Sequence, residues 1–232
     1  MYSDNLNAPP MNPLPKVVIL LCCLIGAVEL VFQAAETGFI GGQEGIGWRI
    51  AAMQQYAFSD RLFDWMRING NYSGRNMLRF VTYSFLHLSL MHTVFALVFT
   101  LALGKFVADI MHPIAVLVIF FASAAVGAFV YSVALDDTAA LIGAYPAIYG
   151  LIGAYTWLRF SRLKDEGKNG FNAFNLIIFF TVIMLVFKLL FGGSNDWLAE
   201  LVGFCAGFVL SVVLGPNGMR RLQTVLKVTR QR

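Results

Sequence analysis

Five ionisable side chains stand inside apolar stretches of this chain: Glu29, His87, His92, Lys188 and Glu200. A charge at the middle of a membrane helix costs about 2.5–3.5 kcal/mol on insertion scales, so each needs a physical reason. Histidine in such a place can move a proton or bind a metal, and glutamate can act as a general base. His87 and His92 are five residues apart. On one continuous helix, at ~100° per residue, that spacing leaves them about 140° from sharing a face, which is poor for chelating one ion. Neither a metal site nor a cofactor is expected. Lys188 lies near the outer end of its stretch, where its long stem lets the ammonium reach the headgroups, and it is given no site role. Glu29 lies deep in the first stretch and has two open readings: a carboxyl hydrogen-bonded to a neighbouring helix, or a member of a functional cavity.

The elements that must position these residues are membrane helices. With 58% apolar and only 13% charged side chains and a mean hydropathy of +0.69, the 232 residues hold more apolar surface than a soluble domain buries. Helices satisfy every backbone group without water and need roughly 20 residues to cross ~30 Å of hydrocarbon. Six spans are expected, near 15–32, 79–103, 113–135, 145–160, 174–191 and 197–214, giving an all-α six-helix membrane bundle over 15–214. Short tails at 1–14 and 215–232 flank it. The first span reads as a retained anchor, because Met1 to Pro15 lacks a basic signal-like start. Segment 35–78 is too polar to cross, yet it carries Trp48, Tyr56, Phe58, Leu62, Phe63, Trp65 and Met66. It reads either as amphipathic helices lying at the interface or as a small ordered ectodomain.

Cations set the orientation. Lys16, Lys105, Arg159, Arg162, Lys164, Lys168 and the tail residues Arg220, Arg221, Lys227, Arg230 and Arg232 fall on one side of a six-span chain. Asp136, Asp137 and Asp196 fall on the other. Both termini are therefore expected in the cytoplasm, and size and the lack of an organelle signal point to a bacterial inner membrane. The net charge of +4 follows from this topology and favours contact with the lipid bilayer, not with nucleic acid. Cys22, Cys23 and Cys205 lie within apolar spans as small hydrophobes, with no disulfide framework.

Three separated runs carry a resemblance. His87 and His92 in the second span are followed by Ala96; Gly143-Ala144-Tyr145-Pro146 opens the fourth span; Ala199-Glu200 and Gly203 lie in the sixth. In order and topology these runs resemble the rhomboid family of intramembrane serine proteases, from about Arg79 to the end of the sixth span. Active members carry asparagine where this chain has Ala96, the nucleophilic serine where it has Tyr145, glycine where it has Pro146 and the catalytic histidine where it has Glu200. Arg79 stands where a Trp-Arg pair of the family would end, with Leu78 in place of the tryptophan, a structural position.

The resemblance implies a serine attacking a peptide carbonyl while histidine takes its proton and polar donors hold the oxyanion. Here the former-site positions Tyr145, Glu200, His92 and Ala96 hold no intact catalytic set. A phenol carries its oxygen several ångströms beyond a serine hydroxyl, Pro146 removes a backbone N–H, and Ala96 removes an oxyanion donor. The expectation is a pseudoprotease that binds transmembrane helices of client proteins without cutting, with His87, His92, Tyr145 and Glu200 as binding residues. A Tyr145 hydroxyl donating to the Glu200 carboxylate would tie the fourth and sixth helices. The alternative is a rhomboid endopeptidase with a rewired site. A proton-conducting transporter built on Glu29 and Glu200 has no support in broken helices or repeats. Gly203 and Gly207 are expected to let the sixth helix pack closely on the fourth.

Overall fold

The fold is known from a computed structural model, which describes residues 13–135, 139–191, 195–216 and 218; the side chains of residues 187, 188 and 191 lie outside the description. Asp136 and Asp137, the side chain of Lys188, and both chain ends with the tail cations Arg220, Arg221, Lys227, Arg230 and Arg232 are therefore outside it.

Polar and proline residues set the helix starts. The Ser73 side chain accepts from Asn76 N, Ser89 from His92 N, and the His112 ring from Ile114 N ahead of Pro113. Each satisfies an N–H that the first turn leaves free, and proline there costs nothing because its missing N–H has no partner in any case. The helices are α1 (Lys16–Glu36), four short ones, α2 (Gly42–Gly45), α3 (Trp48–Tyr56), α4 (Asp60–Asn69) and α5 (Gly74–Thr82), and then α6 (Leu90–Ala108), α7 (Pro113–Ala134), α8 (Tyr145–Asp165), α9 (Asn175–Phe191) and α10 (Trp197–Leu214). The described elements are all helical, joined by one antiparallel bridge between Phe58 and Leu141.

Four of them, α1, α6, α7 and α10, are long and apolar enough to cross a membrane. Helix α8 is long enough, but it sits at the centre of the bundle against α6, α7 and α10. Small residues suffice there, and its last turns carry Arg159, Arg162 and Lys164. Helix α9 has only 17 residues and packs lightly, on the turn before it, on α8 and, through Phe180 edge-on to Phe99, on α6. Outward faces of the long helices are apolar, with Leu30, Phe95 and Ile114 at least half exposed. In water such a surface is a liability; in hydrocarbon it is the solvated face.

The second span differs from its expected bounds. Residues 79–89 do not belong to it: α5 ends at Thr82, Tyr83–Phe85 make a 3-10 turn, and α6 starts at Leu90. The run is apolar because it is buried between helices, with Phe80, Tyr83 and Leu86 nearly inaccessible. The first loop also packs inward. Phe58 lies against Phe80 and Tyr83, and Phe63 meets Phe129 edge-on. The expected glycine packing is present: a Cβ on Gly203 would overlap the Pro146 carbonyl oxygen, and one on Gly207 the Gly150 carbonyl oxygen. Backbones of α8 and α10 therefore touch directly.

Candidate functional site

At the N-terminal ends of α6, α8 and α10 a cavity of about 150 Å³ is lined by Tyr83, His92, Leu141, Ile142, Tyr145, Pro146, Asp196 and Glu200. Each helix places its residues through its own start. Ser89 caps α6 and sets His92 in the first turn. Pro146 lies in the first turn of α8 beside Tyr145, and Glu200 in the first turn of α10.

Because His87 precedes α6, the helical spacing that would separate the two histidines does not apply, and their ring centroids are 5.2 Å apart. His92 in turn stacks on Tyr145, with centroids 4.9 Å apart and planes within 11°. Both imidazoles are held by backbone amides: Leu88 N donates to His92 Nδ1 at 3.3 Å, and Ala144 N donates to His87 Nε2 at 3.4 Å. A neutral imidazole has one acceptor nitrogen, so these bonds occupy the basic nitrogen of each ring. Neither imidazole therefore offers a free acceptor to the phenol, and the remaining bases of the cavity are the Glu200 and Asp196 carboxylates. Gly143 makes the approach feasible: its φ of +104° suits glycine, and a Cβ there would stand 3.0 Å from His92 Cε1.

The expected tie between Tyr145 and Glu200 is not the one formed. Tyr145 donates its hydroxyl to the His92 carbonyl oxygen at 3.3 Å, while the side chain interacting with Glu200 is Tyr149, one turn further along the same face of α8. Ala96 is fully buried and offers no donor. Tyr83, invisible as a site residue in the sequence, lines the cavity and donates to the Ala124 carbonyl oxygen at 2.9 Å; burial holds its phenol well above the ordinary range.

Glu29 belongs elsewhere. It forms a fork with Arg49, Nη1 to Oε2 and Nη2 to Oε1 both at 2.9 Å, and also accepts from Gln33 and Thr93 at 2.8 Å. Arg49 donates further to Glu36 at 2.6 Å and to the His87 carbonyl oxygen at 2.8 Å. Its guanidinium is pushed still further up by the Glu29 carboxylate. Of the two readings of Glu29, the hydrogen-bonded tie is the one present, and it joins α1, α3, α6 and the loop that carries His87. The buried arginine is thus Arg49, which directly follows Trp48, and not Arg79. Arg79 instead bonds the Gln54 and Ala57 carbonyl oxygens at the end of α3, at 3.1 and 3.3 Å. A loop arginine with an unmatched intramembrane acid upstream was the available signal.

Among known families, the Rhomboid domain matches residues 74–217, more than half of the chain. The chain belongs to the rhomboid family. This rhomboid is an integral membrane protein, and its polar cavity lies where the family's three motif runs converge. No curated protein matches it individually.

The site has a titration consequence. His87 lies outside α6 and is 1% exposed, and burial first, then His92, pushes its imidazole from 6.5 down to about 4. The unfolded chain takes up that proton near pH ~6.5. Stability from the neutral ring is thus complete above that value and is lost as pH falls toward about 4, by about 3 kcal/mol in all. Melting curves in detergent between pH 7 and pH 4 should fall less steeply for His87→Asn than for the unaltered protein. Equal slopes would show that another group titrates.

Proposed function

We propose that this rhomboid binds transmembrane helices of other membrane proteins without cleaving them. The observation that carries the reading is the engagement of Tyr145: its ring is stacked on His92 and its hydroxyl is spent on a backbone carbonyl. Attack on a peptide needs a free oxygen beside a base; both imidazole acceptors are already used, and the Glu200 carboxylate is hydrogen-bonded to Tyr149 rather than to Tyr145. Buried Ala96 and the missing N–H of Pro146 remove stabilisation for an oxyanion, worth about 10²–10³ in rate per donor. Helix packing between α8 and α10 is retained, so the scaffold that would hold a client persists.

The protein on this reading has six spans, α8 and α9 completing the set, with both termini in the cytoplasm of a bacterial inner membrane. The first loop lies at the outer interface, which its exposed Trp48, Trp65, Ile68 and Leu78 favour. Incubated in detergent with a generic transmembrane substrate, the purified protein is expected to give no product, while crosslinking in native membranes captures transmembrane partners. Cleavage that disappears in Tyr145→Phe or Glu200→Gln would establish the rewired endopeptidase instead.

A further inference from the structure

A second, larger recess lies at the opposite end of the bundle from the Tyr145 cavity. It is a groove of about 630 Å³ where α6 and α8 finish, reaching Pro216 just after α10. Because α6 and α10 are long enough to cross the membrane, their common ends mark headgroup depth. One wall is apolar: Phe106 and Ile110 of α6 are 36% and 46% exposed, and Trp157 joins them, a residue type that favours the membrane interface. Tyr155 of α8 joins this wall to a cation. Its ring centroid lies 4.6 Å from that of Phe106, and its hydroxyl accepts from Arg159 Nη1 at 2.9 Å. Arg159, which lines the groove one turn further along α8, is thus held beside the apolar wall, and that bond uses one of its five N–H donors.

The end of α8 is net positive. Residues 159–168 hold four cations, Arg159, Arg162, Lys164 and Lys168, against two carboxylates, Asp165 and Glu166, which leaves two positive charges in excess. On the facing end of α6, Lys105 and Asp109 pair with each other at 2.8 Å and cancel. Glu166 answers two cations at once, accepting from Arg162 Nε at 3.0 Å and from Lys168 at 2.8 Å, so that trio still carries one positive charge. The last carbonyls of α8 do not oppose an anion, because those of Arg162, Leu163 and Lys164 accept from the N–H groups of Glu166, Lys168 and Gly167. Topology accounts for cations at this end of the bundle. It does not account for a recess beside them, or for an arginine tied to the recess's apolar wall.

We propose that this groove binds an anionic diacyl phospholipid, its phosphate on the Arg159 and Arg162 guanidinium groups and one acyl chain along Phe106 and Ile110. Arginine suits the phosphate, since its planar fork meets two oxygens with two parallel N–H bonds. A free phosphate would use the cations and leave the apolar wall without a partner. A zwitterionic lipid would use the wall but bring an ammonium to a site already in positive excess. Volume agrees as well, since sites for drug-sized ligands span about 300–1,000 Å³.

The test uses the full chain, delipidated in detergent and offered phosphatidylglycerol, phosphatidylethanolamine or phosphatidylcholine with identical acyl chains. Bound lipid is counted by native mass spectrometry, with and without excess inorganic phosphate. Phosphatidylglycerol is expected to be retained about tenfold over the other two and to stay bound in the presence of phosphate. Arg159→Ala and Arg162→Ala should each remove most of that preference, whereas Lys227→Ala, the same loss of charge in the tail, should leave it intact. Both arginines are exposed, and melting curves confirm that their variants fold. Equal retention of the three lipids overturns the proposal, as does displacement by phosphate, which would make the site one for a free anion. A preference that falls as far in Lys227→Ala as in Arg159→Ala overturns it too, because overall charge and not the groove would then select the lipid.

Discussion

Arg49→Met is expected to destabilise the folded protein by about 3–5 kcal/mol, the largest single effect of any side chain outside the cavity. The cost does not come from a lost attraction alone. Glu29 is 3% exposed, and without Arg49 its carboxylate keeps only Gln33 and Thr93 as donors while remaining in a region with little water. An uncompensated buried charge costs more than the pair contributes over an apolar pair of the same shape. Removing both partners should therefore be milder than removing one. Glu29→Gln/Arg49→Met is expected to recover more than half of the single loss, measured by unfolding in detergent as a double-mutant cycle. A loss within about 1 kcal/mol for Arg49→Met would place the pair among ordinary surface contacts and end this account. Because Arg49 also holds the His87 carbonyl oxygen, the single variant should broaden or shift the His87 and His92 ring signals in a spectrum.

That network marks where sequence reading stopped. The bounds of α7 and α10 and the start of α1 were legible, because long apolar runs flanked by proline or charge leave few choices; α1 runs one turn beyond its expected end, to Glu36. The close packing of Gly203 and Gly207 was legible too, since small residues four apart on a membrane helix need a near backbone. The start of α6 was not. Hydropathy does not separate a membrane helix from an apolar turn buried between helices, and Tyr83, Leu86 and His87 are of the second kind. Two of the site's relations failed for that reason or a related one. His87 and His92 meet because the chain turns before Ser89, not through any helical period. Tyr145 and Tyr149 share one face of α8, so residue types alone could not choose which phenol Glu200 would engage. Glu29 and Arg49 are 20 residues apart across a loop, and no periodicity links them. Only the sign of each charge in an apolar setting hinted that one needed the other.

Tyr145→Ser alone is expected to yield no detectable cleavage of a generic transmembrane substrate, whereas the quadruple variant Ala96→Asn/Tyr145→Ser/Pro146→Gly/Glu200→His is expected to cleave it. The rate difference should be at least ~10³-fold, because residues of one catalytic set act as a unit and a nucleophile without its base gains almost nothing. Each change answers a particular defect of the cavity. Serine clears the ring stacked on His92 and brings the oxygen back toward the backbone; histidine at position 200 supplies a base from α10 across to α8. Glycine restores the N–H that Pro146 lacks, and asparagine restores an oxyanion donor where fully buried Ala96 has none. Asparagine adds volume at a fully buried position, so the quadruple variant should melt lower than the unaltered protein, and its fold must be verified before its activity is read. A folded but silent quadruple variant would show that these four positions do not account for the proposed lack of cleavage. Cleavage by the unaltered chain, lost in Tyr145→Phe, would show instead that the chain is an endopeptidase with a rewired site.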